Sequence, residues 1–262
     1  MPFGFEGLVF AGVLGVVFLG GLVKGTTGFG YAIASTAILA AVIGPAAAVV
    51  LMIVPMLAAN LALLGELDRG DLRTCIRRFW PFVLAAVLGT LAGMALLERL
   101  PTPLLTLGLG AFTLGYVLVA QDRLVLPGER WIARYCFRAS TTAKVGIGLF
   151  AGVVFGASNV AVQVVAYLDS LDLDHATFVG VLAMILVGIS TIRVGAAWSM
   201  GLFGRPALVW LSLVAAAPGL LGVAVGRRLR ARVPTATVDA LALGLLVVIG
   251  LKLLQGGASA LV

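Results

Sequence analysis

Long apolar stretches without charge recur from one end of the chain to the other, separated by short polar links. A helix needs about 20 mainly apolar residues to cross the hydrocarbon of a bilayer. The stretches lack the alternation of apolar and polar residues that marks barrel strands, so they are predicted to be helices. Only 11% of the residues are charged, against about a quarter in soluble domains. The fold class is therefore an all-α polytopic membrane protein, with segments at residues 7–24, 28–43, 45–64, 79–97, 103–120, 144–155, 159–168, 175–198, 206–225 and 236–254.

Basic residues concentrate in three groups at segment ends. A net charge of +7 is compatible with nucleic-acid binding, but loop-end arginines are the positive-inside signal of membrane proteins. We therefore expect these groups to lie in the cytoplasm, and we expect no nucleic-acid partner. The groups are Arg69, Arg73, Arg77 and Arg78; Arg123, Arg130, Arg134, Arg138 and Lys144; and Arg227, Arg228, Arg230 and Arg232.

The second half of the sequence repeats the first. Two Gly-x-x-x-Gly pairs and one Arg-x-Pro-Thr sequence recur at nearly constant spacing. In this register Gly21 and Gly25 match Gly152 and Gly156, Gly89 and Gly93 match Gly222 and Gly226, and Arg99-Leu100-Pro101-Thr102 matches Arg232-Val233-Pro234-Thr235. The pattern indicates an internal duplication.

Charge indicates that the two repeats are inverted. Four arginines lie in residues 65–78 and one in the matching link 201–205, whereas 98–99 has one arginine and 227–232 has four. Matching links therefore face opposite sides of the membrane, as in many secondary transporters. We predict two inverted-topology repeats, each with three long spans plus a broken or re-entrant short helix pair. Residues 1–120 form the first repeat, 121–143 a cytoplasmic interfacial linker and 144–262 the second repeat.

Two cations fall inside apolar segments. Lys24 belongs to the first half and Arg193 to the second, whereas all 11 acidic residues map to loops or segment ends. A charge at the centre of a membrane helix costs about 2.5–3.5 kcal/mol on insertion scales, so such residues usually mark a pathway or site. Lys24 has the simpler alternative of snorkelling to an interface, and Arg193 that of pairing with backbone carbonyls. Without acidic partners, the two cations predict a small anionic substrate.

Glycine-rich sequence follows Lys24 and predicts a helix break. A helix that restarts there presents free amides and the positive end of its dipole to an anion. At the matching place in the second half, Ser158 or Asn159 can cap a helix. Asn60 of the first half lies at about the position that corresponds to Arg193 of the second half. The simpler alternatives are close helix packing for the glycines and an interhelical hydrogen bond for Asn60. The predicted substrate-binding residues are Lys24, Gly25, Thr26, Thr27, Gly28, Gly30, Tyr31, Asn60, Gly156, Ser158, Asn159, Gln163 and Arg193.

These motifs resemble a known family. The chain resembles the sulfite exporter TauE/SafE family of membrane permeases over nearly its whole length. The resemblance is carried by Lys24-Gly25-Thr26-Thr27-Gly28-Phe29-Gly30, Pro45, Tyr167-Leu168, Phe178 and Arg193. The resemblance implies transport of sulfite, sulfonates or related sulfur anions across the bacterial inner membrane. One departure is Ser158-Asn159-Val160-Ala161, where the family pattern usually has Gly-Pro residues.

The expected function is therefore secondary transport of small sulfur-containing oxyanions by alternating access, with export as the expected direction. An anion channel and a transporter for a non-sulfur organic anion are the near alternatives. A membrane-embedded enzyme is disfavoured because the chain has one histidine, His175, and no mid-membrane acid to serve as ligand or base. We expect no cofactor and no metal, and the sequence leaves the oligomeric state open, a homodimer included.

Overall fold

The computed structural model describes residues 7–27, 30–64, 69–120, 141–159, 161–169, 175–204, 206–230 and 235–261. These residues form eleven α-helices and no strand. The helices are α1 (Gly7–Thr27), α2 (Tyr31–Ile43), α3 (Pro45–Leu51), α4 (Ile53–Leu64), α5 (Arg69–Arg99), α6 (Thr102–Ala120), α7 (Thr141–Ser158), α8 (Val162–Asp169), α9 (His175–Ser199), α10 (Pro206–Leu229) and α11 (Thr235–Ser259).

Five stretches within these helices are long and apolar enough to cross a membrane. They are Gly7–Thr26, Pro45–Leu64, Cys75–Arg99, Thr177–Ser199 and Pro206–Leu229. Large apolar side chains such as Leu8, Leu88 and Trp198 are exposed on the outer surface, which suits contact with lipid and not with water. The all-α, multi-pass membrane architecture expected from the sequence is confirmed.

Close helix pairs are built on the repeated glycines. A Cβ atom on Gly148, Gly152 or Gly156 of α7 would collide with a carbonyl oxygen of α5, at Phe82, Ala86 and Thr90 respectively. Both sets of residues advance four at a time, so α5 and α7 run in the same direction. Such small residues allow two backbones to approach within the membrane.

The glycines of α1 and α10 make a second pair of the same kind. A Cβ on Gly21 or Gly25 would meet the carbonyl oxygens of Gly219 and Val223, and one on Gly222 would meet that of Phe18. These two helices are also parallel. Two further contacts, α6 with α11 and α4 with α9, complete the main packing.

Both predicted helix breaks are present. In the first half α1 ends at Thr27 and α2 begins at Tyr31, after Gly30 with a φ of 86°. In the second half α7 ends at Ser158 and α8 begins at Val162. The helices after the breaks have 13 and 8 residues, or about 20 and 12 Å of helix, too short for about 30 Å of hydrocarbon.

The helices before the breaks are longer than the sequence predicted. Helix α1 has 21 residues and contains a 20-residue candidate span, so it is long enough to cross the membrane. Helix α7 begins at Thr141, three residues before the predicted start at 144. Residues 121–140 of the predicted linker lie outside the described residues.

Candidate functional site

Each of the two membrane cations is buried and hydrogen-bonded to an asparagine. Lys24 on α1 is 4% exposed and Arg193 on α9 is 1% exposed. The Lys24 ammonium donates to Asn60 Oδ1 on α4 over 2.7 Å, and Arg193 Nη1 donates to Asn159 Oδ1 over 2.6 Å. Neither side chain reaches bulk water, so snorkelling does not describe Lys24 in this conformation.

Asn159 joins four elements around Arg193. It lies in the break between α7 and α8, with its side chain fully buried. Its Nδ2 donates to Thr36 Oγ1 on α2 over 3.1 Å and to the Val49 carbonyl oxygen on α3 over 3.0 Å. Its Oδ1 accepts from Arg193. The amide therefore uses its oxygen and both of its N–H groups.

The backbone of Asn159 explains why an asparagine fits this break. Its φ is 63°, in the left-handed region that most residues avoid. Asparagine is one of the few residues besides glycine that visit this region routinely. The position thus combines a glycine-like backbone with an amide side chain that reaches the cation.

An aromatic ring supports the guanidinium. Arg193 Cζ lies 4.9 Å from the centroid of the Phe155 ring on α7, a cation–π contact between two buried side chains. Phe155 follows Gly152 by three residues, as Lys24 follows Gly21. In the register of the duplication, Phe155 of the second half therefore corresponds to Lys24 of the first half.

Several buried donors have no partner among the described residues. They include two of the three nitrogens of the Arg193 guanidinium, Nε and Nη2, and the amide Nδ2 of Asn60. The hydroxyls of Tyr31, Thr90 and Ser190 are buried and without a partner as well, and Ser190 lies about one helical turn before Arg193. An unpaired buried donor costs about 1–3 kcal/mol, and more when charged, so an acceptor oxygen beside Arg193 Nε and Nη2 would stabilise the guanidinium.

Other predicted site residues have different roles. The Thr26 hydroxyl donates to the carbonyl oxygens of Leu22 and Val23 in its own helix. The Ser158 hydroxyl does the same with Val154. These bonds run to helical carbonyls one turn back, and the residue that precedes α2 is Gly30, which has no side chain.

The remaining predicted residues divide between packing and undescribed positions. Gly25 and Gly156 lie at the α1–α10 and α5–α7 contacts, which is the packing alternative for these glycines. The Tyr31 ring packs next to Gly20 and Gly219. Gly28 and the side chains of Thr27 and Gln163 lie outside the described residues.

The family model for sulfite exporter TauE/SafE matches residues 13–253. The chain belongs to the sulfite exporter TauE/SafE family. The match includes both cation–asparagine pairs and both helix breaks. Members of the TauE/SafE family are transporters rather than enzymes, and membership implies a membrane transporter of sulfite or related anions. No curated protein and no solved structure matches the chain significantly.

Proposed function

We propose that this TauE/SafE protein exports a small sulfur-containing oxyanion, such as sulfite or a sulfonate, across the cell inner membrane by alternating access. The observation that carries the proposal is the fully buried Arg193 guanidinium, whose Nε and Nη2 have no partner among the described residues. An uncompensated buried charge is costly, so a negative group bound at these two donors would stabilise the cation.

The helices that carry the two cations and their described partners have no acidic residue of their own. Helices α2, α3, α7 and α9, which meet at Asn159 and Arg193, contain no Asp or Glu, and neither do α1 and α4 around Lys24. The groups present are an ammonium, a guanidinium, amides and hydroxyls, all of which donate hydrogen bonds. Compact oxyanions have several acceptor oxygens, which matches this set of donors.

The helix pairs support the inverted repeat on which alternating access would depend. In the sequence register, α1 corresponds to α7 and α10 corresponds to α5. The pair α1–α10 therefore corresponds to the pair α7–α5, and both are parallel and joined at the matched glycines. Each close pair combines one helix from each half, so a relative motion of the halves would have to change these contacts or move each pair as a unit.

The polar contacts follow the same correspondence. Lys24 on α1 bonds to Asn60 on α4, and the matching helices α7 and α9 place Phe155 against Arg193. The cation is on the first helix in one half and on the long central helix in the other. The halves would thus offer the anion two different contacts, a point charge from lysine and a planar fork from arginine.

Uptake into proteoliposomes tests the proposal. Sulfite, thiosulfate, sulfoacetate, taurine and sulfate would be compared for the parental protein and for Lys24→Gln and Arg193→Gln. Lys252→Gln is the matched control, because Lys252 lies in an apolar helix but is exposed. We expect at least a tenfold loss for the two site variants and parental transport for the control; parental rates in both site variants would refute the site.

A counterflow measurement separates a transporter from a channel. Liposomes preloaded with unlabelled sulfite are expected to accumulate labelled sulfite faster than empty liposomes, because alternating access returns a loaded site more readily than an empty one. A channel shows no such acceleration. Equal rates with and without preloading would contradict alternating access and favour an anion channel.

A further inference from the structure

We infer that Asn159 is a positioning residue that holds the Arg193 guanidinium with one chosen edge free, and that this edge selects anions with two oxygens on one atom. The inference rests on the proposed transport function and adds the geometry by which the site would discriminate among anions. This edge would disfavour linear anions that offer only a single atom at each end, such as thiocyanate.

The free edge of Arg193 is identified by its unpaired atoms. The N–H groups of Nε and Nη2 point in the same direction on one side of the planar guanidinium. They form two parallel hydrogen bonds with a carboxylate, sulfonate or phosphate group. The third nitrogen, Nη1, donates to Asn159, and one face of the plane covers the Phe155 ring. The side edge is thus the part of the group that has no described partner.

The orientation of the Asn159 amide is fixed by its other partners. The Val49 carbonyl oxygen can only accept a hydrogen bond, so the group that faces it must be Nδ2 and not Oδ1. With Nδ2 bound to Val49 and Thr36, Oδ1 faces Arg193. A flipped amide would place an N–H group against the guanidinium, and it would lose the bond to the Val49 carbonyl oxygen. The acceptor that directs Nη1 is therefore constrained by two neighbouring helices.

The backbone at Asn159 makes a clean substitution available. Because φ is 63°, glycine preserves the conformation of the break while it removes the amide. Alanine removes the same amide but adds the strain of a left-handed backbone. The comparison of Asn159→Gly with Asn159→Ala therefore separates the loss of the side chain from an effect on the backbone.

The measurement is anion selectivity in the full-length protein. Sulfite uptake would be measured with methanesulfonate or thiocyanate as competitor, for the parental protein and Asn159→Gly. We expect the KM for sulfite to rise about tenfold, which corresponds to about 1.4 kcal/mol, with kcat changed less than threefold. We also expect the preference for methanesulfonate over thiocyanate to fall about tenfold, since the guanidinium is then no longer held with two parallel N–H groups towards the anion.

Two further variants keep the test decisive. Ser212→Ala removes another buried interhelical hydrogen bond, from Ser212 Oγ to the Leu51 carbonyl oxygen, and is expected to leave selectivity unchanged. Thr36→Val removes one of the groups that fix Asn159 and is expected to shift selectivity in the same direction as Asn159→Gly, whereas Thr36→Ser should retain it. Thr36→Val therefore serves as the test if Asn159→Gly does not fold.

The outcomes separate this inference from the proposed function. If the parental protein transports no sulfur anion, the proposed function fails. The role of Asn159 is then tested by calorimetry, which compares the affinities for methanesulfonate and for thiocyanate in the parental protein and in Asn159→Gly. If the parental protein transports sulfite and Asn159→Gly and Thr36→Val retain parental selectivity, the positioning role is overturned while the transport function stands.

Discussion

At the scale of single residues, both cations depend on asparagines that the sequence had already placed among the candidates. Lys24 with Asn60 and Arg193 with Asn159 are contacts across 36 and 34 residues. They were predictable in part, because charged and amide residues stand out in apolar segments. Thr36 and Phe155 were not predicted, because threonine and phenylalanine are common in membrane helices and only the packing brings them to Asn159 and Arg193.

The Lys24 pair leads to a prediction in which stability and transport move in opposite directions. Asn60→Asp places a carboxylate at the oxygen that accepts from Lys24 over 2.7 Å. The buried ion pair should maintain or raise the melting temperature, because charge-assisted hydrogen bonds are about twice as strong as neutral ones. Transport should fall at least tenfold, because the carboxylate neutralises the cation that would attract the anion.

The control is Asn60→Leu, which removes the hydrogen bond without adding charge. It should lower both transport and the melting temperature. A hydrogen bond to a charged group contributes about 1.5–3 kcal/mol to the free energy of unfolding. Thermal unfolding in detergent and proteoliposome uptake measure the two quantities. Parental transport by Asn60→Asp would show that Lys24 takes no part in anion binding.

At the scale of helices, the matched glycines determine which elements pack closely. The sequence identified the four Gly-x-x-x-Gly pairs and their correspondence, but not their partners. It could not show that α1 packs on α10 and α5 on α7, because a stripe of small residues does not encode which stripe faces it. The length of α1 was underestimated for a related reason: the glycine-rich sequence from Gly25 onward predicted a break directly after Lys24, whereas α1 packs against α10 at Gly25 and stays helical up to Thr27.

A pair of glycines in α7 tests this packing. A Cβ at Gly152 would collide with the Ala86 backbone, whereas a Cβ at Gly146 meets no atom within 4 Å. Gly152→Ala should destabilise the protein by about 1–3 kcal/mol, the usual cost of overpacking. Gly146→Ala should be neutral or slightly stabilising, because alanine favours helix.

Thermal unfolding of the two variants in the same detergent provides the comparison. A lower melting temperature for Gly152→Ala alone is the expected result. Equal melting temperatures would mean that α5 and α7 do not approach as closely as the structure shows.

At the scale of the whole molecule, two groups of arginines lie near the ends of particular helices. Arg77 and Arg78 lie at the start of the candidate span Cys75–Arg99 within α5, and Arg227 and Arg228 lie in the last turn of α10. The Arg230 Nε donates to the Thr26 carbonyl oxygen over 3.0 Å, which places the end of α1 beside the end of α10. The sequence predicted that these arginine groups share a side through the positive-inside rule; the structure adds the helices that they join.

Labelling in intact cells tests the inverted topology. In a Cys75→Ala, Cys136→Ala background, Arg77→Cys and Arg228→Cys should both be protected from a membrane-impermeant maleimide until the cells are opened. Glu98→Cys, at the other end of α5, should react from outside. All three positions are exposed on the protein surface, so burial does not confuse the result. Labelling of Arg77→Cys and Arg228→Cys from opposite sides would exclude the inverted arrangement.

The central claim is that the free edge of Arg193 receives the transported anion, and the most direct measurement is the position of a bound analogue. Selenite, the selenium counterpart of sulfite, can be located by anomalous diffraction from crystals of the Cys75→Ala, Cys136→Ala protein. Two hydrogen bonds of ordinary length place selenium within about 4 Å of both Arg193 Nε and Nη2, and this is the predicted result. A selenium peak elsewhere in the protein, with the Nε and Nη2 edge unoccupied, would contradict it.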